Sequence, residues 1–325
     1  MGVSGGPDSA ALLALLKKME RSRSLTIYAA HLNHGLSHQG LAFERTAQTL
    51  AKKLGVQLIT KKVHVKTLSR KWKTSLEDAG RKARYQFFLE ASQKLGATKI
   101  ATAHTLDEQA ETVLMKIVRG AGLRGLAGIP VIRPLGPLSV IRPLIGITKK
   151  ECLLFLKNES IAYLLDDSNQ DKKFTRNRMR HDILPKLEQD FNPRISEALS
   201  DLAATVGDVS AFIEKQARLA WKQCLASESS RRLKFFESEL RRLEPCVLDE
   251  VLWMAIERLR GARTGVGYSH IQGVRSLIET DERGLQIHLP GGLRVRKDRS
   301  ERSLTPRKGK TIISLQLLSL PRKGG

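Results

Sequence analysis

The chain is poor in cysteine, aromatic residues and acid. Its three cysteines, Cys152, Cys224 and Cys246, stand far apart and form no C-x-x-C pair. That spacing offers neither a disulfide framework nor a clustered zinc site. No apolar run is long enough to span a membrane. The N-terminus lacks the charged-then-apolar pattern of a secretory signal, so the chain reads as cytoplasmic. There is no internal repeat. The first glycines are followed by no lysine and do not form G-x-G-x-x-G, which excludes a Walker A loop and a dinucleotide fingerprint. Acid is the largest deficit: 33 Asp and Glu stand against 56 Lys and Arg, a formal charge of +23 and a pI near 10.2. Such an excess attracts polyanions, nucleic acid first and an acidic membrane surface second.

A length of 325 residues, 41% of them hydrophobic, suggests roughly two domains, each large enough to bury a core. The densest signal lies at the start. Ser4-Gly5-Gly6-Pro7-Asp8-Ser9 runs directly into Ala10-Ala11-Leu12-Leu13-Ala14-Leu15-Leu16, a glycine-rich turn opening onto an apolar helix. Glycines permit positive φ and close approach of a ligand. The free N–H groups of a helix start, with its dipole, favour an anion. Ser4 and Ser9 add hydroxyls, and the ligand this implies is a phosphate group. Asp8 beside an anion calls for a bridging cation, which implies Mg2+ held at Asp8. The plainer alternative is a Gly-Pro-Asp-Ser turn serving as a helix cap.

Strand and helix patterns then alternate. Leu25–Ala30 is strand-like and ends in the polar turn His31-Leu32-Asn33-His34-Gly35-Leu36. Residues 38–54 read as a helix, Val56–Val65 as a strand, Ser75–Leu95 as a helix closed by Gly96, Thr98–Ala103 as a strand, and Thr105–Arg119 as a helix closed by Gly120. This alternation predicts an α/β fold with a doubly wound, mostly parallel sheet. Ligands in such sheets sit at the carboxyl ends of the strands. The first loop, the His31 turn and His104-Thr105-Leu106-Asp107 all fall there. Only Met1-Gly2-Val3 precede the first loop, where a buried strand is expected. Either the natural start lies upstream or this start is a truncation, and the central strand is short.

Leu138–Ile145 predicts an edge strand and Thr148–Asn158 a helix. Asp166-Asp167-Ser168-Asn169 reads as a turn. A first domain is expected over residues 1–192. Beyond Asn192-Pro193, Ile195, Leu199, Leu202, Val206, Val209 and Ile213 recur at helical spacing, and Leu243–Arg260 and Ser269–Thr280 read as further helices. This predicts a smaller helical second domain over 193–284. Two short strands about Pro290-Gly291-Gly292 open a basic segment, 285–325. Residues 294–310 hold eight Lys or Arg and two Asp or Glu, either a solvated tail or an RNA-contacting strip.

The first loop resembles the S-G-G-x-D-S pyrophosphate loop of the N-type ATP pyrophosphatases. Further blocks narrow the resemblance. His31–Leu36, Glu77-Asp78-Ala79-Gly80-Arg81-Lys82-Ala83-Arg84-Tyr85, Thr102-Ala103-His104-Thr105-Leu106-Asp107-Glu108-Gln109-Ala110-Glu111-Thr112, Arg119–Leu126 and Arg176-Asn177-Arg178-Met179-Arg180-His181 are similar, in order, to blocks of the tRNA(Ile)-lysidine synthetases. What this resemblance implies is an adenine nucleotide alpha hydrolase-like domain. It would use ATP and Mg2+ to adenylate the C2 oxygen of the wobble cytidine of a tRNA(Ile) with a CAU anticodon. Free L-lysine would then displace AMP, forming lysidine.

The residues answer the demands of that chemistry. Ser4, Gly5, Gly6, Pro7, Asp8 and Ser9 are expected to cradle pyrophosphate, with His31, Asn33 and His34 contacting adenine, ribose or the target base. Asp107, Glu108 and Glu111 share one helix face, where a carboxylate binds an ammonium and accepts its proton. The resembled family usually has Asp where Glu108 stands, and the extra methylene moves the carboxylate by about 1.5 Å. Thr105-x-x-Glu108 also reads as a plain capping box. Arg81 and Arg84, a turn apart, are phosphate candidates. Arg176, Arg178 and Arg180 read as a phosphate or RNA clamp. Two alternatives stay open: another tRNA-modifying enzyme with the same loop, and an RNA-binding protein with an inactive ATP site.

Overall fold

The computed structural model describes residues 1–20, 22–36, 38–166, 172, 175–261, 263, 265–298 and 311–318. The chain divides into two units, Met1–Gly207 and Asp208–Gly325.

The first unit begins with α1 (Pro7–Met19), β1 (Tyr28–Asn33), α2 (Gly40–Lys53), β2 (Gln57–Lys62), α3 (Val65–Trp72), α4 (Leu76–Leu95) and β3 (Lys99–Ala101). It continues through α5 (Leu106–Val118), α6 (Leu123–Leu126), β4 (Ile132–Leu135), β5 (Leu138–Ile141), α7 (Lys149–Asn158), α8 (Thr175–Arg178), a π turn (Met179–Ile183) and α9 (Leu184–Asp190). Local chemistry sets several of these limits. The Ser75 hydroxyl accepts the Asp78 amide at the start of α4, and Gly96 ends that helix at φ 65°, where a Cβ would be strained. Thr148 and Glu151 form a full capping box on α7.

β1 pairs with β2 and β3 with β5, both parallel, while β4 joins β5 antiparallel through a turn at Gly136. β5 therefore lies inside the sheet, with β4 outside it, where the sequence pattern placed an edge at Leu138–Ile145. Met1–Val3 link the two halves. Gly2 N–H donates to Ala101 O (3.0 Å), Val3 N–H to Ala30 O (2.9 Å) and Ala30 N–H to Met1 O (2.8 Å). Three residues thus supply the central strand position, and the spatial order is β2, β1, Met1–Val3, β3, β5, β4. Alternation along β1 feeds two cores. Ala29 packs with Val3, Leu12, Leu13, Leu50 and Leu156. Ala30 and Leu32 pack with Phe87, Phe88, Ile100 and Val140.

The second unit differs from a purely helical expectation. α10 (Ile195–Cys224) begins in the first unit and ends in the second. After it come β6 (Leu225–Ser229), β7 (Arg232–Phe236), α11 (Glu237–Leu240), α12 (Pro245–Arg260), α13 (Tyr268–Glu279), β8 (Gln286–Leu289), β9 (Leu293–Asp298) and β10 (Ile312–Leu317). The strands form one antiparallel sheet in the order β6-β7-β10-β9-β8. Leu233, Phe235, Val295 and Ile313 on its inner face pack with Leu252, Ile256, Ile271 and Ile278 of α12 and α13. Of the basic run 294–310, Arg294–Asp298 lie in β9 and 299–310 fall outside the described residues. Residues 167–169 of the expected turn also fall outside them. No helix among the described residues is long and apolar enough to cross a membrane.

Candidate active site

A cavity of about 900 Å³ opens at the carboxyl ends of β1, Met1–Val3 and β3, inside the first unit. Its floor is the loop Ser4–Ser9. Gly5 sits at φ +90°, and a Cβ there would lie 2.6 Å from the Phe43 carbonyl oxygen, so only glycine fits. Pro7 occupies the first turn of α1, where its missing N–H is no loss. The two serines brace the loop. Ser9 Oγ donates to Gly6 O (2.9 Å) and accepts the Ser4 amide (3.1 Å), and Ser4 Oγ lies 3.0 Å from Ser9 Oγ and accepts the Gly6 amide (3.2 Å). Gly5 O accepts the Leu164 amide at 3.0 Å. The sequence suggested hydroxyls free for phosphate. Both serines line the cavity, Ser9 largely buried and already engaged within its own loop.

Asp8 lines the same cavity, and its Oδ1 is buried with no hydrogen-bond partner among the described residues. Burial pushes its carboxyl pKa up. Asp107 and Glu111 push it the same way, and Lys149 and Arg180 oppose them. Two mutually repelling carboxylates, one with an orphaned oxygen, fit a divalent cation that completes its shell with phosphate oxygens. Mg2+ takes few protein ligands and keeps the rest for substrate and water. Among the described residues there is no group of three or more His, Cys, Asp or Glu that could hold a metal ion.

The turn after β1 forms a side wall. His31 is buried and its Nδ1 meets Val3 O at 2.9 Å. A carbonyl only accepts, so Nδ1 donates to it, and Nε2 has no hydrogen-bond partner among the described residues. His34 Nε2 lies 3.4 Å from the Arg84 guanidinium, which only donates, so the His34 proton sits on the unpartnered Nδ1. Burial, then Arg84 and His31, brings His34 down to about 4. Asn33 is different: its amide donates to Glu44 (3.1 Å) and accepts the Gly35 amide (3.0 Å). It fixes the turn with its own polar groups already matched.

Arg81 and Arg84 reach the cavity from α4 beside Tyr85. Arg81 lies over the Tyr85 ring at 5.7 Å, and Arg133 from β4 at 4.8 Å. Burial lowers the Arg84 pKa, with Arg81 adding to the effect. His104 closes β3. Its Nδ1 lies 3.0 Å from Thr102 Oγ1, and burial, followed by Arg142, Arg176, Arg84 and Arg81, brings it down to about 4. Both cavity histidines with shifted pKa values are therefore neutral at pH 7.

The acidic face of α5 forms the opposite wall. Asp107 Oδ2 accepts the backbone amide of Lys149 at 2.6 Å, tying α5 to the first turn of α7. Glu111 is fully buried. Its Oε1 accepts Arg180 Nε (2.6 Å), and its Oε2 accepts Arg176 Nε (2.7 Å) and Arg180 Nη2 (3.1 Å). Glu108 keeps 26% of its side chain exposed and meets Arg176 at 3.4 Å. Burial, then Glu111 and Asp8, pushes the Glu108 pKa up against Arg176 and Arg180. Burial disfavours the Arg176 charge, but Glu108 and Glu111 outweigh it and the net shift is upward. Thr105 makes no capping hydrogen bond, so the capping box read at Thr105-x-x-Glu108 does not form. Arg176 and Arg180 face inward onto Glu111, and Arg178 is exposed. Lys149, also on the cavity, carried no signal beyond its place in an N-cap pattern. Arg133 and Arg142 lay in a Pro-rich hairpin with no motif to mark them.

A loop shaped for phosphate, a carboxylate pair suited to a cation and an acidic wall now share one cavity. The PP-loop domain model matches residues 1–187. The tRNA(Ile)-lysidine synthase of Geobacter sulfurreducens is 32% identical over 329 residues, covering 100% of this chain and 68% of that one. The chain belongs to the tRNA(Ile)-lysidine synthase family. The synthase of Clostridioides difficile is 30% identical over 308 residues, 94% of this chain and 66% of its own. That of Clostridium acetobutylicum is 32% identical over 297 residues, 90% and 63%. The chain thus spans about two thirds of the length of these synthases. Among solved structures, the U34-tRNA thiolase NcsA from Methanococcus maripaludis aligns with a TM-score of 0.53 at 19% identity, over 64% of this chain and 70% of that one. That likeness shows the fold. Every synthase block named from the sequence up to His181 falls within the matched PP-loop domain.

Proposed function

We propose that the chain is an ATP-dependent ligase that joins free L-lysine to C2 of the wobble cytidine of tRNA(Ile) with a CAU anticodon. The observation that carries this reading is the convergence, in one cavity of a lysidine synthase family member, of the Ser4–Ser9 loop with the carboxylates of Asp8, Asp107, Glu108 and Glu111. In the first half-reaction the C2 oxygen attacks the α-phosphorus of ATP and pyrophosphate leaves. The amides at the start of α1 and the cation Lys149 receive its negative charge. Asp8 and Asp107 would hold Mg2+ together with ATP, and the ion would supply neutralisation of phosphate charge. In the second half-reaction the lysine ε-amine attacks C2 and AMP leaves.

That amine arrives as an ammonium and must lose a proton before it can attack. Glu108 is the acceptor in this reading. Its pKa lies above the usual carboxylate value, so it takes the proton more readily than an ordinary glutamate. Asp107 is held by the Lys149 amide, and Glu111 is matched to its two arginines. Neutral His34 and His104 avoid adding positive charge against the incoming ammonium. In this reading Arg81, Arg84 and Arg178 contact RNA phosphates, and a tRNA substrate puts the reaction in the cytoplasm.

Incorporation of radiolabelled lysine into unmodified tRNA(Ile), with ATP and Mg2+, tests the reading. Label retained in RNA, with AMP and pyrophosphate released in equal amounts, is the expected result. RNA binding without any ATP turnover would overturn it and leave an RNA-binding protein with an inactive site.

A further inference from the structure

The fold leaves an apolar seam on α10 uncovered. Residues 202, 205, 209, 212, 216 and 219 recur at alternating steps of three and four, a heptad pattern. Leu202, Val209, Phe212 and Leu219 hold four of these positions and are 41%, 46%, 62% and 55% exposed. Thr205 and Gln216 hold the other two. A separate stripe of the same helix, Leu199, Ala203, Ala217 and Ala220, is buried in the protein's own cores. One apolar stripe would serve the fold. A second, contiguous and exposed, marks an interaction surface.

The charges beside the seam say what covers it. Asp201, Asp208, Lys215 and Lys222 follow one another at heptad spacing along one flank, acid toward the start of α10 and base toward its end. All four are exposed. None has an opposite charge three or four residues away, where pairs on a helix form. Glu214 and Arg218 on the same helix do pair, at 2.5 Å, whereas none of the four meets an opposite charge among the described residues. A flank that is acidic at one end and basic at the other complements a copy of itself turned end over end.

We propose that this face of α10 binds a second copy of the chain as an antiparallel helix pair about a two-fold axis. With Val209 set opposite Phe212 of the second copy, Leu202 meets Leu219 and Thr205 meets Gln216. Apolar layers then face apolar ones, and the polar layer faces its like. The same register brings Asp208 beside Lys215 and Asp201 beside Lys222. A slip of one heptad puts Phe212 against Gln216 and Lys215 against its own copy, or Val209 against Thr205 and Asp208 against its own copy. A parallel pair sets the charged flank against Leu199, Val206 and Ile213 and matches none of its charges. RNA and anionic lipid fit less well, since Asp201 and Asp208 repel phosphate. A single short helix pair falls at the low end of specific interfaces, under about 1,200 Å², so the dimer dissociates on dilution. The pairing does not depend on the ligase reading.

The test is sedimentation of the full chain over a range of concentrations, with Asp208→Lys and Lys215→Asp as the variants. Both positions are exposed, so both proteins should fold. Asp208→Lys sets lysine against lysine at both symmetry-related contacts, and Lys215→Asp sets carboxylate against carboxylate. Each variant alone should dimerise about tenfold more weakly than wild type, two contacts turning from attraction to repulsion. Mixed in equal amounts, the two variants regain opposite charges at both contacts, so the mixture should dimerise nearly as tightly as wild type. Phe212→Ser should weaken the dimer, and mixing it with either charge variant should restore nothing. A wild-type chain that stays monomeric at every concentration overturns the proposal. So do single variants that dimerise like wild type, or a mixture no tighter than its parts. A monomeric wild type whose tRNA affinity falls with Phe212→Ser gives the face to RNA and overturns it too.

Discussion

Replacing Glu111 with glutamine removes the charge that two arginines share. Glu111 is fully buried, and both its oxygens are used, at 2.6, 2.7 and 3.1 Å. Glutamine keeps one oxygen and turns an NH2 donor toward guanidinium donors. Breaking a buried ion pair by removing one partner costs about 3–5 kcal/mol, because a charge is left unmatched. Arg176 and Arg180 are 38% and 23% exposed, so both can turn toward water, and the cost falls to about 2–3 kcal/mol. Hydrogen exchange of the α5 amides, read as an opening free energy, reports this unit without interference from the other. Pairing Glu111→Gln with Arg176→Gln in a double-mutant cycle should give a coupling of about 1–2 kcal/mol, since the second change removes a charge already stranded by the first. Opening energies within 0.5 kcal/mol of wild type would refute the reasoning, as would strict additivity of the two changes.

Gly5→Ala places a methyl 2.6 Å from the Phe43 carbonyl at φ +90°. It should abolish ATP binding, measured by equilibrium dialysis, while far-UV circular dichroism stays near wild type. Asp8→Asn relieves a carboxylate whose ionisation is opposed by burial and by Asp107 and Glu111. The free protein should melt at the same temperature or higher, and lose the stabilisation given by ATP with Mg2+. His34 and His104 are held neutral to about pH 4, while the unfolded rings titrate near 6.5. The unfolded state therefore binds more protons between those values. Stability is complete above about pH 6.5 and falls as pH drops toward 4, by up to roughly 3 kcal/mol per ring before solvent screening. Urea midpoints of His34→Gln and His104→Gln should show a shallower fall. Burial pushes the thiols of Cys152 up to about 12 and Cys224 up to about 11, while Cys246 is exposed. An aromatic disulfide reagent should therefore find one fast thiol in the native protein and three in denaturant.

Legibility tracked how local the physics was. The α4 limits were readable because Ser75 and Gly96 cap it with their own backbone neighbours, and the Pro290-Gly291-Gly292 turn betrayed the β8–β9 hairpin. The Ser4–Ser9 loop was readable as a motif because backbone shape fixes its residue types. The β6–β7 hairpin was not readable. Its Ser227-Glu228-Ser229 and Arg231-Arg232 stretch is polar and short, and only packing against α12 and pairing with β10 make it a sheet. β10 itself pairs on one side with β7, about 80 residues earlier, a partner no local pattern reveals. α3 spans eight residues, too few for periodicity to decide. Arg176 and Arg180 were visible as charges, but their inward direction depends on Glu111, 65 and 69 residues earlier. Met1–Val3 hold the central strand position through hydrogen bonds to the strands on both sides, Ala30 and Ala101, partners that the sequence alone does not reveal.

That same separation between Glu111 and its arginines has a consequence during synthesis. The carboxylate leaves the ribosome well before Arg180 can reach it. At about 5–20 residues per second, the interval for 69 residues is roughly 3–14 s. Over that time α5 exists with its central acid unmatched, so the growing chain has a phosphate loop and no closed acidic wall. Ligand affinity in the nascent chain should therefore arrive in one late step, when residues 176–180 emerge, and not build up as the sheet grows.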